Sequence, residues 1–167
     1  MGVATKTTPE TTEGPQSPVA NLGWLLSQAS YVLTTQLTAA LEDLGISPRS
    51  FCLLNSAMDG EYTQIELAHA VGLDKTTMVV TLDELEEEGL AKRVPSSEDR
   101  RARVVKVTKT GERKVAEGEE IVERIQEELL SGLPAADRKA FLGGLTRLVQ
   151  EASPAACSKP VRRRAPR

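Results

Sequence analysis

Apolar residues recur at steps of three and four through most of this chain, and a few glycines and prolines break the recurrence into separate helices. From about Val19 to Leu44, the series Leu22, Leu25 or Leu26, Ala29, Val32 or Leu33, Leu37, Ala40 or Leu41, and Leu44 predicts one long helix with Gly45 as its C′ residue. Ser47-Pro48 opens a second, with serine as N-cap and proline in the first turn. It carries Phe51, Leu53, Leu54 and Met58 and ends near Asp59-Gly60. Thr63-Gln64-Ile65-Glu66 spells a capping box, with Tyr62 and Leu67 spaced as a hydrophobic staple, so a third helix runs from about Gln64 to Val71. Gly72 breaks it and Asp74 caps a fourth, Lys75 to Glu88, which buries Met78, Leu82 and Leu85 and is stopped by Gly89. Two helices joined by so short a turn fit helix-turn-helix geometry.

The period then changes. Short apolar runs, Leu90 to Val94 and Val104 to Val107, enclose Ser97-Glu98-Asp99-Arg100-Arg101-Ala102-Arg103, the charged tip of a β-hairpin. Thr108 caps a long fifth helix reaching about Ser131, with a seam of Val115, Gly118, Val122, Ile125 and Leu129 in steps of three and four. Leu133-Pro134 starts a sixth, carrying Phe141, Leu142, Leu145, Leu148 and Val149 and ending near Glu151. The expected fold class is mainly α with a small β-hairpin wing: a winged helix-turn-helix whose N- and C-terminal helices form a dimerisation region. The first, fifth and sixth helices carry more apolar surface than the compact winged unit covers alone, which points to a symmetric homodimer. Gly143-Gly144 either permits close helix contact there or marks a weak spot in a surface helix.

This division predicts a disordered segment over residues 1–18 and a folded unit over 19–151. Within the unit, residues 46–108 form the nucleic-acid-binding part and 19–45 with 109–151 the dimerisation helices; a disordered basic tail follows over 152–167. Aromatics make up only 3% of the chain, so the core is aliphatic. The net charge of −3 hides a segregation: Lys92, Arg93, Arg100, Arg101, Arg103 and Lys106 surround the hairpin, while the acidic excess sits in Glu84 to Glu88 and Glu117 to Glu128. Where the charge sits matters more than its sum. Arg162-Arg163-Arg164 either adds nonspecific phosphate attraction or belongs to an unstructured end.

Cys52 lies in an apolar run and reads as a small core residue, and Cys157 lies in the tail, so a reducing compartment is expected. With no apolar run near the ~20 residues of a membrane span and no apolar signal block, the expected location is cytoplasmic. One histidine (His69, at an outward position), no metal-ligand spacing, no phosphate loop and no nucleophile motif argue against an enzyme and against a metal or cofactor.

On the fourth helix the face opposite the apolar stripe presents Thr76, Val80, Asp83, Glu84 and Glu87, with Thr77 and Thr81 flanking. Its front half is neutral and its rear half acidic, so only the first two turns suit a major groove lined by phosphates. Thr76, Thr77 and Val80 offer methyls and hydroxyls suited to thymine. Lys75 and Thr81 are placed for phosphates or flanking bases. Thr63 and Gln64 either touch phosphate as well or serve their helix, Thr63 as its cap.

The order of these parts resembles the multiple antibiotic resistance regulator (MarR) family of bacterial transcription factors. The matching stretches are Tyr62-Thr63-Gln64-Ile65-Glu66-Leu67-Ala68, Gly72-Leu73-Asp74-Lys75-Thr76-Thr77, Leu85-Glu86-Glu87-Glu88-Gly89-Leu90, Asp99-Arg100-Arg101, and Val107-Thr108-Lys109-Thr110-Gly111, within a likeness that spans Leu22 to Gln150. The resemblance implies a homodimeric repressor on an inverted-repeat DNA operator, often released by a small aromatic or phenolic ligand. It implies Arg101 in the minor groove with Asp99 as its buttress; Arg100 and Arg103 then either contact the backbone or stand as alternatives to Arg101. Many relatives carry an arginine near Val80, and its absence here speaks against strong guanine readout. The family's usual pocket implies Trp24, Gln28, Tyr31 and Arg49 as ligand contacts, with Arg49 pairing an acidic group; Trp24 and Tyr31 serve equally as dimer packing. Two other readings stay open: a redox-responsive regulator acting through Cys52, and a winged helix used for protein contacts.

Overall fold

The computed structural model describes residues 21–99 and 101–151; the expected segments 1–18 and 152–167, and Arg100, fall outside the described residues. The described chain runs α1 (Leu22–Leu41), a 3-10 turn (Glu42–Leu44), α2 (Pro48–Ser56), β1 (Tyr62–Thr63), α3 (Gln64–Ala70), α4 (Lys75–Glu87), β2 (Ala91–Pro95), β3 (Arg103–Val107), α5 (Lys109–Leu130) and α6 (Ala135–Glu151). The mainly helical winged helix-turn-helix is thus present.

Local chemistry sets most boundaries. Asn21 caps α1, its side chain accepting from the Trp24 N–H at 3.1 Å, a little inside the expected start. Gly45 is the C′ residue as expected, at φ 64°, but it closes a 3-10 turn rather than a continuous α-helix. Ser47 caps α2 through the Ser50 N–H. That helix ends at Ser56, earlier than expected, where the Ala57 N–H turns in onto Leu53 and Leu54, and Met58 is left exposed. The capping box of α3 is complete: Thr63 N–H donates to Glu66 Oε2 at 2.7 Å, and Glu66 N–H donates to Thr63 Oγ1 at 3.3 Å. Leu67 is buried, while Tyr62 belongs to β1, is partly exposed, and has its ring beside Gly60.

β1 is the element that the hydrophobic pattern does not announce. It pairs antiparallel with β3, Tyr62 opposite Val105 and Thr63 opposite Val104, so β3 lies in the centre of a three-stranded sheet. β2 pairs with the other edge of β3, from Ala91 opposite Val107 to Pro95 opposite Arg103. Pro95, which has no N–H to donate, stands at the last register position of its edge strand, where proline is tolerated.

The core joins the helices α1 to α5 with β2 and β3: Leu41, Phe51, Leu53, Leu54, Leu67, Met78, Leu82, Leu85, Leu90, Ala91, Val105 and Val115. α5 enters it through Gly118, where an added Cβ would lie 2.7 Å from the Phe51 ring. The α5 seam divides. Val115 and Gly118 are buried and Val122 packs against the core, whereas Leu129 is exposed. No described residue of α6 is buried, and Phe141, Leu142, Leu148 and Val149 are all exposed, as are Leu22, Leu25, Tyr31 and Val32 of α1. The winged unit therefore packs on itself, and among the described residues α1 and α6 leave apolar faces uncovered.

Candidate nucleic-acid interface

The front of α4 is built by its cap. Asp74 Oδ1 accepts from the backbone N–H of Thr76 at 2.9 Å and of Thr77 at 3.0 Å, and Oδ2 accepts from the Thr77 hydroxyl at 2.6 Å. The Thr77 hydroxyl and backbone N–H hold the Asp74 carboxyl below its ordinary range. Lys75, Thr76 and Val80 stand exposed beyond the cap, and Thr77 is half-buried. Val80 is 51% exposed, an apolar side chain offered to a partner. Asp83, Glu84 and Glu87 are exposed on the rear half, as the sequence predicts.

Thr81 requires a correction. It is only 2% exposed, buried with Met78, Leu82 and Leu85, and cannot reach a phosphate or a base edge. Positions 78, 81, 82 and 85 form the i, i+3, i+4, i+7 stripe of one helix face, so the burial follows from helical geometry.

Hydrogen bonds tie the described residues of the wing loop to one another. Ser96 N–H donates to the Ala102 carbonyl and Ala102 N–H to the Asp99 carbonyl, both at 2.9 Å. Asp99 Oδ1 accepts from the Arg101 N–H at 2.9 Å, which fixes the backbone beneath that residue. The expected buttress therefore acts on the main chain of Arg101. Arg101 and Arg103 are exposed.

Two cations that the sequence assigns to the phosphate-attracting field are instead occupied within the chain. Arg93 pairs with Glu86 and, at 2.8 Å, with Asp83, both on α4, and its Nε donates to Gln64 Oε1 at 3.3 Å. Gln64 thereby ties α3 to β2, and Thr63 acts as cap of α3. Lys106 pairs with Glu61 at 3.3 Å. These pairings leave the positive field to Lys75, Lys92, Arg101 and Arg103 among the described residues.

Glu61 is absent from the residues that the sequence nominates. Its Oε2 accepts from the Ser97 N–H at 2.9 Å, the Ser97 hydroxyl at 2.9 Å and the Ser96 hydroxyl at 3.1 Å. The Ser97 N–H, then its hydroxyl, lowers the carboxyl to about 2 from 4.5. The support this carboxylate gives the wing is complete above pH 4.5 and fades as pH falls through about 2. Carboxyl titration by NMR should find the Glu61 midpoint near 2; a midpoint at 4.5 would mean the wing is not held there.

The four ligand candidates do not converge. Tyr31 is 69% exposed, Gln28 and Arg49 are exposed, and Trp24 is half-buried. The open groove that Tyr31 lines is formed with Thr34, Thr35, Thr38, Ala39 and Glu42, all on α1 and the turn after it; Trp24, Gln28 and Arg49 do not line it. Cys52 is exposed, contrary to the core position expected of it, yet desolvation pushes its thiol pKa up. His69 is exposed as expected. No helix among the described residues is long and apolar enough to cross a membrane.

The profile of the MarR family matches residues 51–102, the stretch from α2 to the wing. Among solved structures, the transcriptional regulator PA3341 is 30% identical (TM-score 0.69) over 78% of this chain and 97% of its own. CouR from Rhodococcus jostii RHA1, bound to p-coumaroyl-CoA, is 26% identical (TM-score 0.73) over 83% of this chain and 98% of its own. CouR bound to a 23-mer DNA duplex superposes with a TM-score of 0.71 at 26% identity, over 77% of this chain and 92% of its own. A Mycobacterium tuberculosis MarR family protein in complex with p-aminosalicylic acid is 26% identical (TM-score 0.65) over 77% of this chain and 98% of its own.

Proposed function

Because the chain belongs to the MarR family of transcriptional regulators, we propose that it is a sequence-specific double-stranded DNA-binding repressor. In this reading it acts as a homodimer on an inverted-repeat operator and is released by a small aromatic or phenolic effector. The observation that carries the proposal is the pairing of two exposed features: a neutral α4 front with Lys75, Thr76 and Val80, and a wing that presents Arg101 on a hydrogen-bonded backbone. The first suits a major groove, the second the adjoining minor groove. Thr76 and Val80 supply methyl groups for thymine, and Lys75 and Arg103 supply charge for phosphates. An arginine gains most in the narrow minor groove of A/T-rich DNA. Two such units on a two-fold axis call for half-sites about 34–36 Å apart.

The solved relatives support both halves of this reading. CouR binds a duplex in one structure and p-coumaroyl-CoA in another, and the M. tuberculosis protein binds p-aminosalicylic acid. Both of those small molecules carry a phenol ring. In this reading the groove on α1 beside Tyr31 seats such a ring, and a second copy of the chain closes its open side. The redox alternative gains little support, because a thiol whose pKa is pushed up carries less thiolate at neutral pH.

Selection from a random duplex pool supplies the operator, and enrichment of an inverted repeat is the expected outcome. On that duplex, Arg101→Ala should weaken binding by about 1–3 kcal/mol and reduce the salt slope by about 1. Unchanged affinity in an equilibrium titration would remove the wing from the reading.

A further inference from the structure

We propose that Glu61 is a positioning residue for DNA recognition: it straps the wing to β1 and so sets where Arg101 stands relative to α4. The inference rests on the DNA-binding reading and adds to it a residue that makes no contact with the duplex.

The described residues of the wing loop are tied to one another: Ser96 bonds across to Ala102, Ala102 bonds back to Asp99, and Asp99 holds the Arg101 N–H. Those bonds lie within the loop and do not by themselves set its angle to the rest of the fold. Glu61 sets that angle from outside the hairpin. One of its oxygens takes three donors from Ser96 and Ser97, where the loop leaves β2, and the other meets Lys106 on β3. The carboxylate thus grips the start of the wing loop and β3 at once.

The other end of the strap is equally defined. Two residues after Glu61, Thr63 pairs with Val104 and caps α3. Residues 61–66 therefore run without interruption from the wing to the helix-turn-helix. An orientation fixed before binding need not be ordered during it, which preserves affinity. The strap also accounts for an acidic residue beside a surface meant for phosphate, since its charge is turned onto Lys106 and the serines. Glutamine is a poor substitute: it loses the charge attraction to Lys106, and a neutral amide oxygen accepts the three donors less strongly.

The test uses the full-length protein and the duplex that it enriches from a random pool, with affinity read by fluorescence anisotropy for E61A, R101A and the double variant. E61A should weaken binding by about five- to tenfold, the equivalent of ordering one or two side chains. E61A should add little once Arg101 is gone, and E61Q should fall between E61A and the parent. E61A should keep the parent's circular dichroism spectrum and melt in a single cooperative step well above the assay temperature, which separates positioning from unfolding. Full affinity in E61A, or losses that simply add in the double variant, would overturn the strap while leaving the DNA-binding reading intact. A parent protein that enriches no duplex would instead defeat the reading on which the strap rests.

Discussion

Replacing Phe141 and Leu148 together by aspartate is expected to yield a monomer whose duplex affinity falls by about 100-fold or more. The two residues lie seven apart on α6, hence on one face, and are 46% and 45% exposed in the isolated chain. Neither supports the core of the winged unit, so the variant should keep its fold. What it loses is the apolar face that a second copy would cover, together with that of α1. The affinity loss follows from valency. Two linked reading heads bind the second half-site at high effective concentration, and one head alone does not. Light scattering gives the mass and anisotropy the affinity. A variant that stays dimeric, or a monomer that binds as well as the parent, would show that α6 does not build the two-fold pair.

Gly111→Ala carries the largest expected effect on stability. Gly111 is buried in the first turn of α5, and its N–H donates to the capping hydroxyl of Thr108 at 3.1 Å. A Cβ at Gly111 would overlap the backbone carbonyl oxygen of Leu90 and press on Val107. The Leu90 carbonyl cannot swing away, because it accepts from the Thr108 N–H at 2.9 Å. Overpacking against fixed backbone of this kind costs about 3 kcal/mol, which lowers the melting temperature of a domain this size by about 10 °C. A melt within a degree or two of the parent would show that α5 does not sit this tightly on the wing.

The elements legible in the sequence are those whose determinants are local. The caps at Ser47, Thr63, Asp74 and Thr108, the left-handed glycines, and the apolar alternation of the hairpin all fall within a few residues of what they specify. Long-range partners are not legible this way. Glu61 and Ser97 are 36 positions apart, and Gln64 and Arg93 are 29, so nothing near either residue announces the bond. β1 is two residues long and exists only because β3 lies beside it.

The residues that depart from expectation have geometric explanations. Phe51, Cys52, Leu53 and Leu54 are consecutive, but a helix turning about 100° per residue cannot bury four in a row. Cys52 takes the outward position. Thr81 is hidden by its hydroxyl: counted as polar, it is set aside from a stripe that it completes. Of the ligand candidates only Tyr31 lines the groove, whose walls come from α1 and the turn after it.

Hydroxyl-radical footprinting of the enriched duplex, at low salt and with the full-length protein, addresses the central claim most directly. Two patches of protection are expected, related by a dyad, each a major-groove contact flanked by a minor-groove contact that disappears with Arg101→Ala. A single unpaired patch, or two patches whose minor-groove flanks survive the loss of Arg101, would contradict it.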